Sequence, residues 1–152
     1  MNSTIQSLDN DDIQMIQIIS SDKVFSIDKR YVSLSNVIKS SLEEDPLATE
    51  FPFTKIKSDS MEKIIEYLNH HKGEVPSEIE KPIKHNTMRE ITNEWDADFI
   101  DEISKNRRLL FELISFSNYL DINPLLHLCC AKIALIMKDQ PEENLRNVLL
   151  NA

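Results

Sequence analysis

Apolar positions in this chain first alternate and later recur at helical spacing, and that change of period marks its elements. Ile16 and Ile18 straddle Gln17, and Val24-Phe25-Ser26-Ile27 is rich in β-branched and aromatic residues. Ser20-Ser21-Asp22 between them reads as a turn, so the pattern predicts a hairpin. Ser33 to Leu42 reads as a short helix with Leu34, Val37, Ile38 and Leu42 facing inward, followed by an acidic loop over 43–49 that contains Pro46. Phe51 to Ile56 reads as a short strand, which Pro52 assigns to a sheet edge because proline has no amide to donate. Ser58 or Asp59 is expected to cap the next helix, with Glu62 three residues after Asp59. Met61, Ile64, Ile65 and Leu68 give that helix one apolar side, and Gly73 ends it.

Residues 73–94 break the pattern with two prolines, many charges and no period, and they read as a long flexible loop. Trp95, Phe99, Ile100 and Ile103 then mark a short helix, and Asn106 is placed to cap another. The stretch from Leu109 to Met137 is the most apolar part of the chain. Leu109, Leu113, Phe116, Ser117 and Leu120 form one helical face, and Leu125, Leu128, Cys129, Ile133 and Ile136 form a second. Asp121-Ile122-Asn123-Pro124 interrupts them, with Asn123 as N-cap and Pro124 at the first helical position, where no backbone donor is needed. Leu109, Leu113, Phe116, Leu128 and Ile133 are read as core. The expected fold class is α/β (α+β), about three short strands with six helices packed on them.

Charge narrows the partners. The 152 residues carry 26 acidic and 17 basic side chains, a net charge of −9. Nucleic acid and anionic membrane both demand a basic face, so neither is expected as a partner. No run approaches the roughly 20 apolar residues of a membrane span, and Met1–Asn10 is too polar for a signal peptide. Asn2-Ser3-Thr4 fits a glycosylation sequon that would stay unused without secretion. Cys129 and Cys130 are helix neighbours about 100° apart, poorly placed to bond each other. They read as reduced core thiols of an intracellular protein.

Catalytic arrangements find little support. Gly73 is the one glycine in the sequence, too few for a phosphate-cradling loop. Adjacent His70 and His71 cannot share a helical face as metal ligands, and neither Cys-x-x-Cys nor His-Glu-x-x-His occurs, so no metal and no cofactor are expected. Asp96, Asp98, Asp101 and Glu102 sit early in a helix, where acids complement its dipole. Cys129 and His127, two apart, point away from each other. What remains is surface. Tyr119 follows the buried face of its helix by an offset that leaves it partly exposed beside Asn118; the alternative is a tyrosine packed at the helix end with its hydroxyl bonded.

Asn118-Tyr119-Leu120-Asp121-Ile122 with Leu125-Leu126 resembles the signature of the S-phase-kinase-associated (Skp) adaptors, BTB/POZ-fold proteins of cullin-RING ubiquitin ligases. Four more segments in the same order carry the resemblance, which spans roughly residues 13 to 146: Ile16–Ile27, Ile64–Lys72, Trp95–Phe99 and Pro141-Glu142-Glu143. It implies a non-catalytic adaptor of the cytoplasm and nucleus, with an acidic disordered arm over 1–12, a BTB/POZ-like domain over 13–137 and a helical extension over 138–152. Asn118 and Tyr119 then look like the cullin contact. Pro141, Glu142, Glu143, Leu145, Arg146, Val148 and Leu149 occupy the place that interlocks with an F-box receptor; the alternative is a helix closing this domain's own core. Pro124 matches a proline that is hydroxylated and glycosylated in protist members, and a helix-starting proline is the plain alternative.

The resemblance departs at the end. The family continues into an Asn-Asp-Phe-rich turn and a final acidic helix, whereas this sequence reads as far as Ala152, so a truncated extension is expected. Asn144 also displaces Leu145 and Arg146 by one from the family's apolar-Arg pair. Left uncovered, Leu145, Val148, Leu149 and Leu150 would form an apolar surface suited to a homodimer. The rival readings are an elongin-C-like adaptor, a structural subunit of another complex such as a chromosome-segregation assembly, and a small hydrolase.

Overall fold

In the computed structural model, which describes residues 13–138, Met15–Ile19 (β1) and Val24–Asp28 (β2) pair antiparallel, with Ile16 opposite Ile27 and Ile18 opposite Phe25. Ile16, Ile18 and Ile27 are each 1% exposed, so alternation sends one set of side chains into the core. Buried Ser20 holds the turn: its hydroxyl donates to the Lys23 carbonyl at 2.7 Å and accepts from the Lys23 amide at 3.2 Å. Glu50–Pro52 (β3) runs parallel to β1 in the order β2-β1-β3. Pro52 therefore lies on an edge strand, as expected. The strand stops there and not at Ile56, because the Ile56 amide turns back to the Phe53 carbonyl at 3.0 Å.

One predicted helix is two segments. Lys29–Leu34 forms a 3-10 helix and Asn36–Glu44 (α1) follows. Ser35 ends the first, its amide donating to Val32, and starts the second, its hydroxyl accepting from the Ile38 amide. The break rotates Val37 outward and leaves Leu42 only half-buried, while Val32, Leu34 and Ile38 are buried. The next helix, Ser58–His71 (α2), has Lys57 at its N-cap and no side-chain cap. Neither Ser58 nor Asp59 takes that role; the Ser58 hydroxyl donates to Asp22 at 3.2 Å. Met61, Ile64, Ile65 and Leu68 are buried as the period predicts, joined by Ser60 and Tyr67. This face packs on β2 and the 3-10 segment. Lys72 and Gly73, at φ 51 and 81, unwind the helix end.

The described chain divides between Glu74 and Val75. In the second unit, residues 75–87 are irregular, and a one-turn helix, Met88–Ile91 (α3), stands where only loop was expected. Its Met88 is 1% exposed, and a single buried side chain leaves no period to read. Glu94–Ser104 (α4), Arg107–Tyr119 (α5) and Asn123–Lys138 (α6) pack on one another. Asn93 and Asn106 cap α4 and α5 by accepting from the amides of Asp96 and Leu109. Lys132 ties α6 to Asp101 of α4 at 2.8 Å.

Several core assignments shift. Leu110, Leu113, Ser117 and Leu120 form the buried face of α5, while Leu109 and Phe116 are half-buried. On α6, Leu125, Leu128, Cys129 and Ala131 are buried, and Ile133 and Ile136 are half-buried. Cys129 and Cys130 are both unpaired thiols, but only Cys129 is core; Cys130 is exposed. The acidic arm over 1–12 and the extension past Lys138 lie outside the described residues. With the extension go Pro141, Glu142, Glu143, Leu145, Arg146, Val148, Leu149 and the dimer surface expected from them.

Candidate partner-binding surface

The joint between α5 and α6 is built by the backbone. Asp121 adopts a left-handed conformation at φ 52. Its amide donates to the Asn118 carbonyl at 3.1 Å, and the next amide, of Ile122, donates to Ser117 at 2.8 Å. These are the two bonds of a Schellman motif, which satisfies carbonyls that a helix end would otherwise leave open. Glycine usually takes the left-handed position; aspartate is among the few other residues that tolerate it. The Leu126 amide then donates to Ile122 at 3.0 Å, starting α6 one residue earlier than expected. Asn123 is thus the first helical residue and not the cap, and Pro124 is the second, still within the turn where amides need no helical partner.

Side chains lock this turn. Leu120, Ile122 and Leu125 are at most 1% exposed, so the joint is nailed into the core on both sides of Asp121. Asn118 and Tyr119 project from it, and both are exposed, Tyr119 at 52%. Among the described residues Tyr119 is the one aromatic side chain among the strongly exposed large apolar groups. A stiff aromatic beside an amide, on a backbone that cannot yield, suits a protein contact: little entropy is left to lose on binding. Pro124 is half-buried nearby in sequence.

The carboxylates weighed for catalysis each have their own partner. Asp96 accepts from the Asn93 side-chain amide at 2.8 Å, Asp98 from Arg89, Asp101 from Lys132 and Glu102 from Lys105. The Asp98 and Glu102 pairs are exposed and contribute little to stability. Burial, with a smaller push from neighbouring Cys130, raises the Cys129 thiol far above its ordinary value, which disfavours the thiolate a nucleophile needs. His127 is exposed while Cys129 is buried. Among the described residues no three His, Cys, Asp or Glu side chains are grouped to hold a metal ion, and no helix is long and apolar enough to cross a membrane.

Residues 14–73 match the family described as "Skp1 family, tetramerisation domain". The chain is also 36% identical over 124 residues to the S-phase kinase-associated protein 1 homolog of Tetrahymena thermophila, an alignment covering 82% of this chain and 74% of that protein. The chain belongs to the Skp1 family. Further Skp1-family relatives include the suppressor of kinetochore protein 1 of Schizosaccharomyces pombe, 33% identical over 86% of this chain and 81% of that protein. The E3 ubiquitin ligase complex SCF subunit sconC of Arthroderma otae is 32% identical over 86% and 79% respectively. The family match ends at Gly73, so Asn118 and Tyr119 lie beyond it.

One surface was not legible in the sequence. Ile79, Pro82 and Ile83, spaced through the charged loop, line an apolar groove with α6. Their own spacing has no period; only the exposed small residues Cys130 and Ala134 on α6 hinted that its outer side is unusually apolar.

Proposed function

We propose that this Skp1-family chain is an adaptor subunit of an SCF-type E3 ubiquitin ligase, bridging a cullin to an F-box substrate receptor, and that it performs no chemistry itself. The observation that carries the reading is the exposed Asn118–Tyr119 pair on a braced joint, in a chain whose relatives include one named as an SCF subunit. The names of these relatives favour it over the elongin-C-like alternative.

In this reading Asn118 and Tyr119 meet the cullin. Pro141, Glu142, Glu143, Leu145, Arg146, Val148 and Leu149 meet the F-box. Pro124 is the hydroxylation and glycosylation site, and the chain works in the cytoplasm and nucleus. The mechanism is positional: holding two partners at a fixed separation raises the effective concentration of one group at another. The test is Asn118→Lys with Tyr119→Lys. Cullin binding should fall by at least about tenfold, or 1.4 kcal/mol, with thermal stability unchanged. Undiminished binding per folded molecule would contradict the assignment of this pair.

A further inference from the structure

Within the second unit, residues 75–84 and residues 85–91 are held by different means. Among the described residues, 75–84 make no hydrogen bond. Half-buried Ile79 and Ile83 face Ala134 and Met137 of α6, and most of their neighbours are exposed. Ordering such a stretch costs more conformational entropy than so little burial returns, so it opens locally at small cost. Residues 85–91 are pinned instead. Met88 is 1% exposed. Arg89 pairs with Asp98 of α4 at 2.8 Å, and Glu90 accepts from the Thr87 hydroxyl at 2.8 Å. From the last residue of α6, the Lys138 ammonium donates to the Asn86 side-chain oxygen at 2.8 Å and to the His85 carbonyl at 3.3 Å.

We propose that residues 75–87 are a strap across α6, hinged at Met88 and latched by Lys138. With the latch closed, the loose part is confined to 75–84. With Lys138 released, it runs on to Thr87, and the strap swings off the outer side of α6. Met88 stays in the core throughout, because a buried side chain is far costlier to withdraw than a surface bond is to break. Lys138 suits a latch. It is exposed, so its bonds compete with water and open without disturbing the packing beneath. Both of its acceptors lie on the last two residues before the Thr87–Glu90 turn, where a hold decides how much of the strap is free. The device needs no partner and does not depend on the adaptor reading.

Proteolysis reads the latch, because cleavage of a transiently opened segment tracks the population of the open form. Native full-length chain is treated with a glutamate-specific protease, and cuts after Glu78 and Glu80 are timed by mass spectrometry. The cut after Glu112, inside α5, is the internal control. Lys138→Met keeps the aliphatic stem and removes the donors. It should quicken the cuts after Glu78 and Glu80 by about threefold, the scale of an exposed charged contact, and leave the cut after Glu112 unchanged. Asn86→Asp gives the ammonium a full charge to hold and should slow the same cuts by about threefold. That slowing should vanish when Lys138→Met is added, since the two residues act as one contact. If either single variant leaves the cuts after Glu78 and Glu80 at the parent rate, the proposal is overturned. Quickening after Glu112 in step with them also overturns it, because Lys138 would then support the fold as a whole.

Discussion

The Ile122 amide donates to the Ser117 carbonyl at 2.8 Å, reaching over Asp121 to seal the end of α5 against the start of α6. That bond exists only while Asp121 holds its left-handed conformation, and the display of Asn118 and Tyr119 depends on it.

Asp121 is therefore a backbone position before it is a charge. Asp121→Val puts a β-branched residue at φ 52 and should lower stability by about 1–3 kcal/mol. Asp121→Gly, free of that strain, should stay within about 1 kcal/mol of the parent. Urea unfolding midpoints of the two variants test this. Equal loss in both would mean that the carboxylate, and not the backbone, matters here.

Gly73 closes α2 at φ 81, and a Cβ added there would lie 2.7 Å from the Arg30 carbonyl oxygen. Backbone cannot step aside as a flexible side chain can. Gly73→Ala should lower stability by more than about 1 kcal/mol, against the gain usual for this change at a compatible site. The urea midpoint measures it, and an unchanged value would show that the 3-10 segment yields.

The core is legible in the sequence where spacing and burial coincide. Ile16, Ile18 and Ile27 alternate, and Met61, Ile64, Ile65 and Leu68 keep the helical period; all are buried. It is not legible where two patterns fit equally. Leu109, Leu113, Phe116 and Leu120 are spaced four, three, four; Leu110, Leu113, Ser117 and Leu120 are spaced three, four, three. The second face won, and it includes a serine whose hydroxyl is satisfied by the Ile114 carbonyl at 3.1 Å, a bond that hydrophobicity cannot foresee. Exposure of Tyr119 was legible because it stands one residue off either face. The left-handed Asp121 was not, because nothing local requires aspartate to leave the helical region.

Asp28 makes one contribution dependent on pH. It is 7% exposed and accepts from the Arg30 guanidinium at 2.7 and 3.1 Å and from the Arg30 amide at 2.9 Å. The guanidinium bonds hold its carboxyl below the usual 3.8, against burial, which raises it. A lowered folded value means that the unfolded chain holds the proton more tightly. The stabilisation is therefore complete above the ordinary carboxylate range and is lost as pH falls through the folded value. The stability advantage of the parent over Asp28→Asn should be flat above about pH 5 and shrink below about pH 4. Unfolding curves across that range test it; a gap that widens in acid would reverse the sign.

The adaptor reading is tested most directly by bridging. An immobilised cullin amino-terminal domain is offered an F-box protein with and without this chain, and the retained F-box protein is quantified. The account predicts retention only when the chain is present, and its loss with Asn118→Lys and Tyr119→Lys. F-box protein retained equally without the chain, or never retained although the chain itself binds the cullin, would contradict it.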